Sequence, residues 1–319
     1  MALPERRRQA LLLSATLLIA VAATAAIGAW VLAADERAGV AEAIKTGGLA
    51  GAAVIALYGL WLNDRRRRVE EDRQHVEERR LVVEGDRISH ERFARAIELL
   101  GNDADQVRVG AMHALVGLAR STPSYTRTVV DVLCAYLRRP FHHHAYDEAH
   151  DPDRSDLAAP ALGALPPEKA AADRERQVRL TAQRVLLDLL PPAGADGGES
   201  YDLDLTGASL EYLDLAGRRV GGLLARRATF YGITRLAGTR FDGRVMFTGA
   251  AFLGRVSLAG ARFGGGVSLL EVRFAQQADL SGATFTSFAD LRWEEPAAVL
   301  QENTTAEPGT GVKRNPADD

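Results

Sequence analysis

The chain has 319 residues, enough for one to three domains, and its formal net charge of −3 excludes whole-chain attraction to nucleic acid or anionic lipid. Its cations are 36 Arg and 3 Lys, a skew of genomic base composition that makes any single Arg weak evidence for a required guanidinium. One cysteine, Cys134, excludes an intramolecular disulfide and a Cys-rich zinc cluster.

Gln9 to Ala34 is an uncharged run of 26 residues, longer than the ~20 that a helix needs to cross a bilayer core. Thr46 to Asn63 is a second uncharged run, of 18 residues. Arg6–Arg8 and Arg65–Arg68 flank the pair, while the loop Asp35–Lys45 carries three acids and two bases. The positive-inside rule then predicts a two-span anchor over residues 1–68, in the cytoplasmic (inner) membrane, with both termini in the cytoplasm. The first run is too long for a cleaved signal peptide, and a second span comes directly after it. Gly47, Gly48, Gly51, Ala52 and Ala53 suit close helix contact in lipid, and Arg65, Arg66, Arg67 and Arg68 suit anionic headgroups.

Residues 69–90 are dominated by Arg and Glu. Val69, Val76 and Val83 recur every seven residues, but the second seam position is charged at Arg73 and Arg80, so the pattern predicts a solvated helix and no coiled coil. Residues 91–140 read as three helices of a HEAT-like module. Phe93, Ala96, Ile97 and Leu100 line the first, Val107, Ala111, Ala114, Leu115 and Leu118 the second, Val130, Leu133, Cys134 and Leu137 the third. Cys134 lies on the apolar face and reads as core.

Residues 141–172 read as a His/Pro/Ala-rich flexible linker. His142, His143, His144 and His150 are the weak metal-ligand candidates of the chain, but adjacent histidines diverge on a regular backbone and no helical i, i+4 pair is present. The sequence therefore predicts no metal and no cofactor. A further helix is predicted over 173–190, either packed on the helical module or capping the C-terminal region.

From residue 201 to 293 two series run in steps of 11. One is Phe230, Phe241, Phe252, Phe263, Phe274 and Phe285; the other is Leu236, Phe247, Leu258, Leu269, Leu280 and Leu291. Steps of 5 and 6 make no helical stripe, and nine glycines between 236 and 285 each cost a helix about 1 kcal/mol. A smaller or branched residue sits two places before each bulky one, which is the period of a short extended segment with one face inward. Each five or six residues thus make one side and one corner, and the sides stack into a solenoid without a deep cavity. The last 26 residues, 294–319, read as a disordered tail.

Here the chain resembles the pentapeptide-repeat proteins, whose unit is Ala-Asp/Asn-Leu-x-x, in "ADLSG" (278–282), "FADLR" (288–292) and "GASLE" (207–211). The resemblance implies a right-handed, four-sided β-helix of 17 sides, a little over four coils, with Val220, Phe241, Phe263 and Phe285 in one internal ladder and Phe230, Phe252 and Phe274 in the opposite one. Ala225 at a central position and Arg218 at an inward one depart from the pattern. The order of segments is also similar to a membrane-anchored branch of that family, with a two-span anchor and a helical module before the repeats.

That family includes DNA mimics that inhibit topoisomerases, but residues 201–291 hold 8 Asp/Glu against 10 Arg, where a duplex mimic needs dense negative charge. Arg219, Arg240 and Arg262 instead fall at one outward position on successive coils, a stripe suited to solvent or an anionic partner, lipid or nucleic acid. No phosphate loop, nucleophile elbow or carboxylate pair marks an enzyme. The expectation is a non-enzymatic, membrane-anchored scaffold whose solenoid binds a protein.

Overall fold

The computed structural model describes residues 5–34, 40–148, 166–195, 197–294, 298–308 and 310–314. The chain divides into two compact units, Met1–Arg87 and Ile88–Asp319.

The first unit holds helix α1 (Glu5–Ala34) and most of helix α2 (Val40–Leu100). The two touch where small residues let backbones approach: a Cβ added at Gly51 would stand 2.3 Å from Thr24 Oγ1 and 3.4 Å from the Ala20 carbonyl oxygen. Among the described residues no helix is long and apolar enough to cross a membrane. The described side chains of α1 begin only at Ser14, so part of the uncharged run from Gln9, like the side chains of Arg65–Arg68, lies outside them. The separate helices expected at 69–90 and from 91 are one continuous α2. Beyond Gly59 its only glycine is Gly85, it holds no proline, and Arg, Glu and Leu are good helix formers, so nothing in this stretch stops the helix.

The second unit continues with α3 (Asp105–Ser121), a 3₁₀ turn (Pro123–Tyr125), α4 (Thr126–Leu137), α5 (Ala145–Glu148) and α6 (Pro167–Leu189). Leu115, Val129, Leu133, Leu137, Ala182 and Leu186 pack together as the helical core. Cys134 belongs to that core, and burial pushes its thiol up to about 12. The expected linker is corrected at both ends: Phe141–Glu148 is packed, with His143 and Ala145 buried, and α6 begins at Pro167. Proline suits this first helical position, where its missing N–H costs nothing. Residues 149–165, with His150, lie outside the described residues.

From Leu203 the described residues wind through 19 strands of two or three residues, arranged in four parallel sheets, one on each side of a β-helix. Face I has the order Leu203–Asp204 (β1), Leu223–Leu224 (β4), Val245–Met246 (β8), Val267–Ser268 (β12), Ala289–Leu291 (β16) and Val312–Arg314 (β19); face II runs Ser209–Glu211 (β2), Thr229–Tyr231 (β5), Ala251–Phe252 (β9) and Arg273–Phe274 (β13). Face III runs Thr234–Arg235 (β6), Val256–Ser257 (β10), Ala278–Asp279 (β14) and Val299–Leu300 (β17); face IV runs Arg219–Val220 (β3), Arg240–Phe241 (β7), Arg262–Phe263 (β11), Thr284–Phe285 (β15) and Thr305–Ala306 (β18). Six strands on face I make about five turns. The expected ladders hold. Val220 pairs with Phe241, Phe241 with Phe263 and Phe263 with Phe285 on face IV, while Phe230, Phe252 and Phe274 align on face II. The rings stack with centroids 5.2 Å apart for Phe241–Phe263, 5.0 Å for Phe263–Phe285 and 4.4 Å for Phe230–Phe252. Leu236, Phe247, Leu258, Leu269, Leu280 and Leu291 are buried, as are the small residues two places before each centre.

Both departures near the start have a structural reason. Ala225 is fully buried, and Arg218 donates from Nη1 to the Leu190 carbonyl at 3.1 Å while its backbone bridges antiparallel to Pro192. The tail expected to be disordered instead completes a turn. Val299–Leu300 (β17), Thr305–Ala306 (β18) and Val312–Arg314 (β19) pair with β14, β15 and β16. The edge strands of an open solenoid carry unpaired N–H and C=O groups, and this segment accepts and donates to them, as in Ala278 N–H to Ala298 O at 2.9 Å.

Candidate functional site

Two features are candidates for function: the outer faces of the solenoid, and the polar junction by which the helices hold its first turns. The junction is built from charged side chains on α6 spaced to point at the solenoid. Arg176, buried, donates from Nε to Glu211 Oε2 at 2.8 Å, and Glu211, also buried, sits on β2. Tyr146 donates its hydroxyl to the same carboxylate and stacks on Tyr231 of β5, with centroids 3.7 Å apart and planes at 11°. Burial and the adjacent Glu211 carboxylate push the Tyr146 phenol well above its ordinary pKa, so it stays a donor. Arg179 reaches the carbonyls of Leu137, Arg139 and Ser209 and lies over the Phe141 ring, and burial lowers its pKa. Arg138 Nη1 pairs with Asp204 at 2.7 Å. These bonds seat α4, α6 and Phe141–Glu148 on the first two turns.

The histidine run is resolved by the same packing. Residues 141–144 are irregular, so the divergence expected of adjacent histidines does not apply, and ligand atoms of His143, His144 and Asp173 all lie within 4.8 Å of one another. His143 Nδ1, however, accepts the Ala145 N–H at 3.2 Å. That makes Nε2 the protonated nitrogen, and it donates to Asp173 Oδ1 at 2.7 Å. A metal would need the lone-pair nitrogen of the neutral ring, and here the Ala145 N–H already occupies it. The geometry therefore suits a positioning hydrogen bond between the Phe141–Glu148 segment and α6. His142 stands edge-on to Tyr146, 6.1 Å between centroids.

On face IV the arginine stripe has the expected register, Arg219 beside Arg240 and Arg240 beside Arg262. Two of the three share a single carboxylate. Asp242 accepts from Arg219 Nε at 2.6 Å and from Arg240 Nε at 2.9 Å. Burial works against its charge, but these two donors win and hold its carboxyl below the ordinary value. Arg219 also donates to the carbonyls of Gly197 and Gly198, so it ties the α6–solenoid connection to face IV. Only Arg262 has no carboxylate partner among the described residues. The junction was not legible in advance, because Glu211, Tyr146 and Arg176 are far apart in sequence and each looks like an ordinary exposed polar residue.

Residues 225–273 and 247–292 match the family model for pentapeptide repeats in nine copies. This stretch of the solenoid, 225–292, is built of pentapeptide repeats. No curated protein and no solved structure matches the chain. A pentapeptide-repeat solenoid of this kind supports an interaction or scaffold module: its interior is closed by stacked Phe and Leu, and what it offers to other molecules is four flat faces.

Proposed function

We propose that this protein is a non-enzymatic scaffold, anchored in the cytoplasmic membrane by its N-terminal helix pair and presenting the pentapeptide-repeat solenoid to a protein partner in the cytoplasm. The observation that carries the anchor is an apolar surface on both helices of the first unit. Leu18 is 69 % exposed on α1 and Trp30 70 %; Leu49 is 71 % exposed on α2 and Leu57 67 %. Soluble surfaces seldom leave so much contiguous apolar area open. Trp30 on α1 and the stacked Tyr58–Trp61 pair on α2, 5.8 Å between centroids, are the residues that favour the headgroup level. The basic flanks Arg6–Arg8 and Arg65–Arg68 give the orientation.

Carbonate extraction of native membranes, followed by protease treatment of inside-out and right-side-out vesicles, tests the anchor. Retention in the pellet with the solenoid cleaved only in inside-out vesicles is the expected result; release by carbonate refutes it. Photo-crosslinkers placed singly on each of the four faces test the scaffold reading. A protein adduct confined to one face is expected, and no adduct from any face refutes protein binding.

A further inference from the structure

Over the described repeats up to Trp293, face I differs from the other three in carrying both exposed large apolar and uncompensated basic side chains. Three ladders run along it. The strand ladder pairs Leu224 with Met246, Met246 with Ser268, Ser268 with Asp290 and Asp290 with Lys313. The corner before it aligns Gly222, Arg244, Gly266 and Phe288, since Leu223 N–H reaches Arg244 O, Val245 N–H reaches Gly266 O and Val267 N–H reaches Phe288 O. The corner after it aligns Arg226 and Arg227 with Thr248 and Leu270 through Arg227 N–H to Thr248 O and Gly249 N–H to Leu270 O.

Of the large apolar side chains exposed on the repeats up to Trp293, both are here: Leu224, 36 % exposed, and Phe288, 45 % exposed. Lys313 stands over the Phe288 ring, 5.7 Å from its centroid. Arg226 and Arg244 are exposed and have no carboxylate partner among the described residues. The carboxylates on this side are mostly engaged: Asp204 with Arg138 at 2.7 Å and Asp290 with Arg292 at 2.6 Å. The exceptions are Glu271 at the second corner and the exposed Asp202 at the head of the first, which reaches Arg127 Nη1 only at 4.0 Å. On face III Arg235 lies near Asp214 at 3.8 Å and Arg255 is exposed, but no large apolar side chain is exposed beside it over these turns, and face II is occupied by the helices over its first two strands.

We infer that face I is a docking surface for an anionic membrane. A short-stranded parallel sheet is rigid and flat, which fits a plane of headgroups better than a peptide that must be gripped in a groove. Guanidinium groups beside shallow apolar side chains match phosphate oxygens above acyl chains. The choice of lipid over a soluble acidic partner rests on the anchor proposed above, which keeps a charged bilayer within reach of the solenoid.

The test uses the full chain, reconstituted in phosphatidylcholine vesicles with and without phosphatidylglycerol. Single Met246→Cys on face I and Ser257→Cys on face III carry an environment-sensitive fluorophore; Cys134 is buried and stays unlabelled. Retention after carbonate wash is measured first, so failure of the anchor is seen separately. With the chain inserted, the Met246→Cys label is expected to shift only in anionic vesicles and to revert in about 1 M salt, where the Debye length is ~3 Å. The Ser257→Cys label is expected to stay in water. Adding Arg226→Gln and Arg244→Gln should lower the docked-to-free ratio roughly fivefold per arginine, from about 1 kcal/mol each near such a surface. An unchanged Met246→Cys signal overturns the inference, as does an equal shift at both labels. A shift produced by soluble polyglutamate and not by anionic lipid assigns the face to an acidic protein and also overturns it.

Discussion

Replacing Phe263 by alanine removes the middle ring of a three-ring stack, between Phe241 at 5.2 Å and Phe285 at 5.0 Å. The side chain is 2 % exposed, so the loss is a full core truncation. Phe→Ala in a core costs about 3–5 kcal/mol, and two lost ring contacts of ~0.5–1.5 kcal/mol each place this site at the upper end. Against a total stability of about 5–15 kcal/mol, that is a third or more of the solenoid's margin. The damage should also be local, because each turn touches only its neighbours. Urea unfolding of the full chain, followed by circular dichroism, should therefore become biphasic, with the turns beyond Phe263 melting first. Trypsin should cut at Arg273 and Arg292 before it cuts at Arg226. Phe288→Ala, at an exposed ring, is the control and should leave both readouts unchanged. A loss below about 1 kcal/mol for Phe263→Ala, or an equal loss for Phe288→Ala, refutes the view that the aromatic ladder holds the turns together.

Gly254→Ala places a Cβ 1.9 Å from the Gly232 carbonyl oxygen of the preceding turn, a backbone-to-backbone clash that should cost at least ~1–3 kcal/mol and lower Tm by calorimetry. Gly238→Ala meets open space and should cost only the ~1 kcal/mol of its positive φ. Glu211→Ala removes the buried carboxylate that pairs with Arg176 and should destabilise by about 3–5 kcal/mol, with helices α5 and α6 losing hydrogen-exchange protection before the outer turns. Burial, ahead of the opposing Asp173 bond, lowers the His143 pKa, so the unfolded chain binds the extra proton first. Its contribution is complete above the unfolded value of ~6.5 and is lost as pH falls below it. The urea midpoint should thus drop between pH 7 and 5 more for the native chain than for His143→Asn. Arg219→Gln should lower the midpoint, because it removes bonds to Asp242, Gly197 and Gly198, whereas Arg262→Gln should not.

The solenoid was legible in the sequence because one residue period fixes both side length and facing. Phe230 and Leu236 could be assigned to the interior without knowing any partner, since every side repeats the same environment. The same reliance on period hid the final turn. Ala278 pairs with Val299 and Ala289 with Val312, offsets that no longer match the 22-residue spacing of Val245 to Val267, and Ala306 stands in the register of Phe285 without its bulk. Asp242 illustrates a different blindness. Register predicted the arginine stripe correctly, but one turn residue, Asp242, offsets part of its charge and ties two of the arginines down. The His143–Asp173 and Arg176–Glu211 pairs span 30 and 35 residues and become visible only from how α6 lies on the first turns.

The polar junction closes one end of the solenoid and leaves the other end to grow. During synthesis the helical module leaves the ribosome first and can fold on its own local contacts. Face II strands then meet a surface already waiting for them, with Tyr146 and Arg176 in place to receive Tyr231 and Glu211. Each later turn needs only the one before it as a template. With a turn every 22 residues, as between Val267 and Ala289, and translation at about 5–20 residues per second, one turn becomes available roughly every 1–4 s. Assembly then keeps to the order of translation, and the nascent chain never has to search for a distant strand partner.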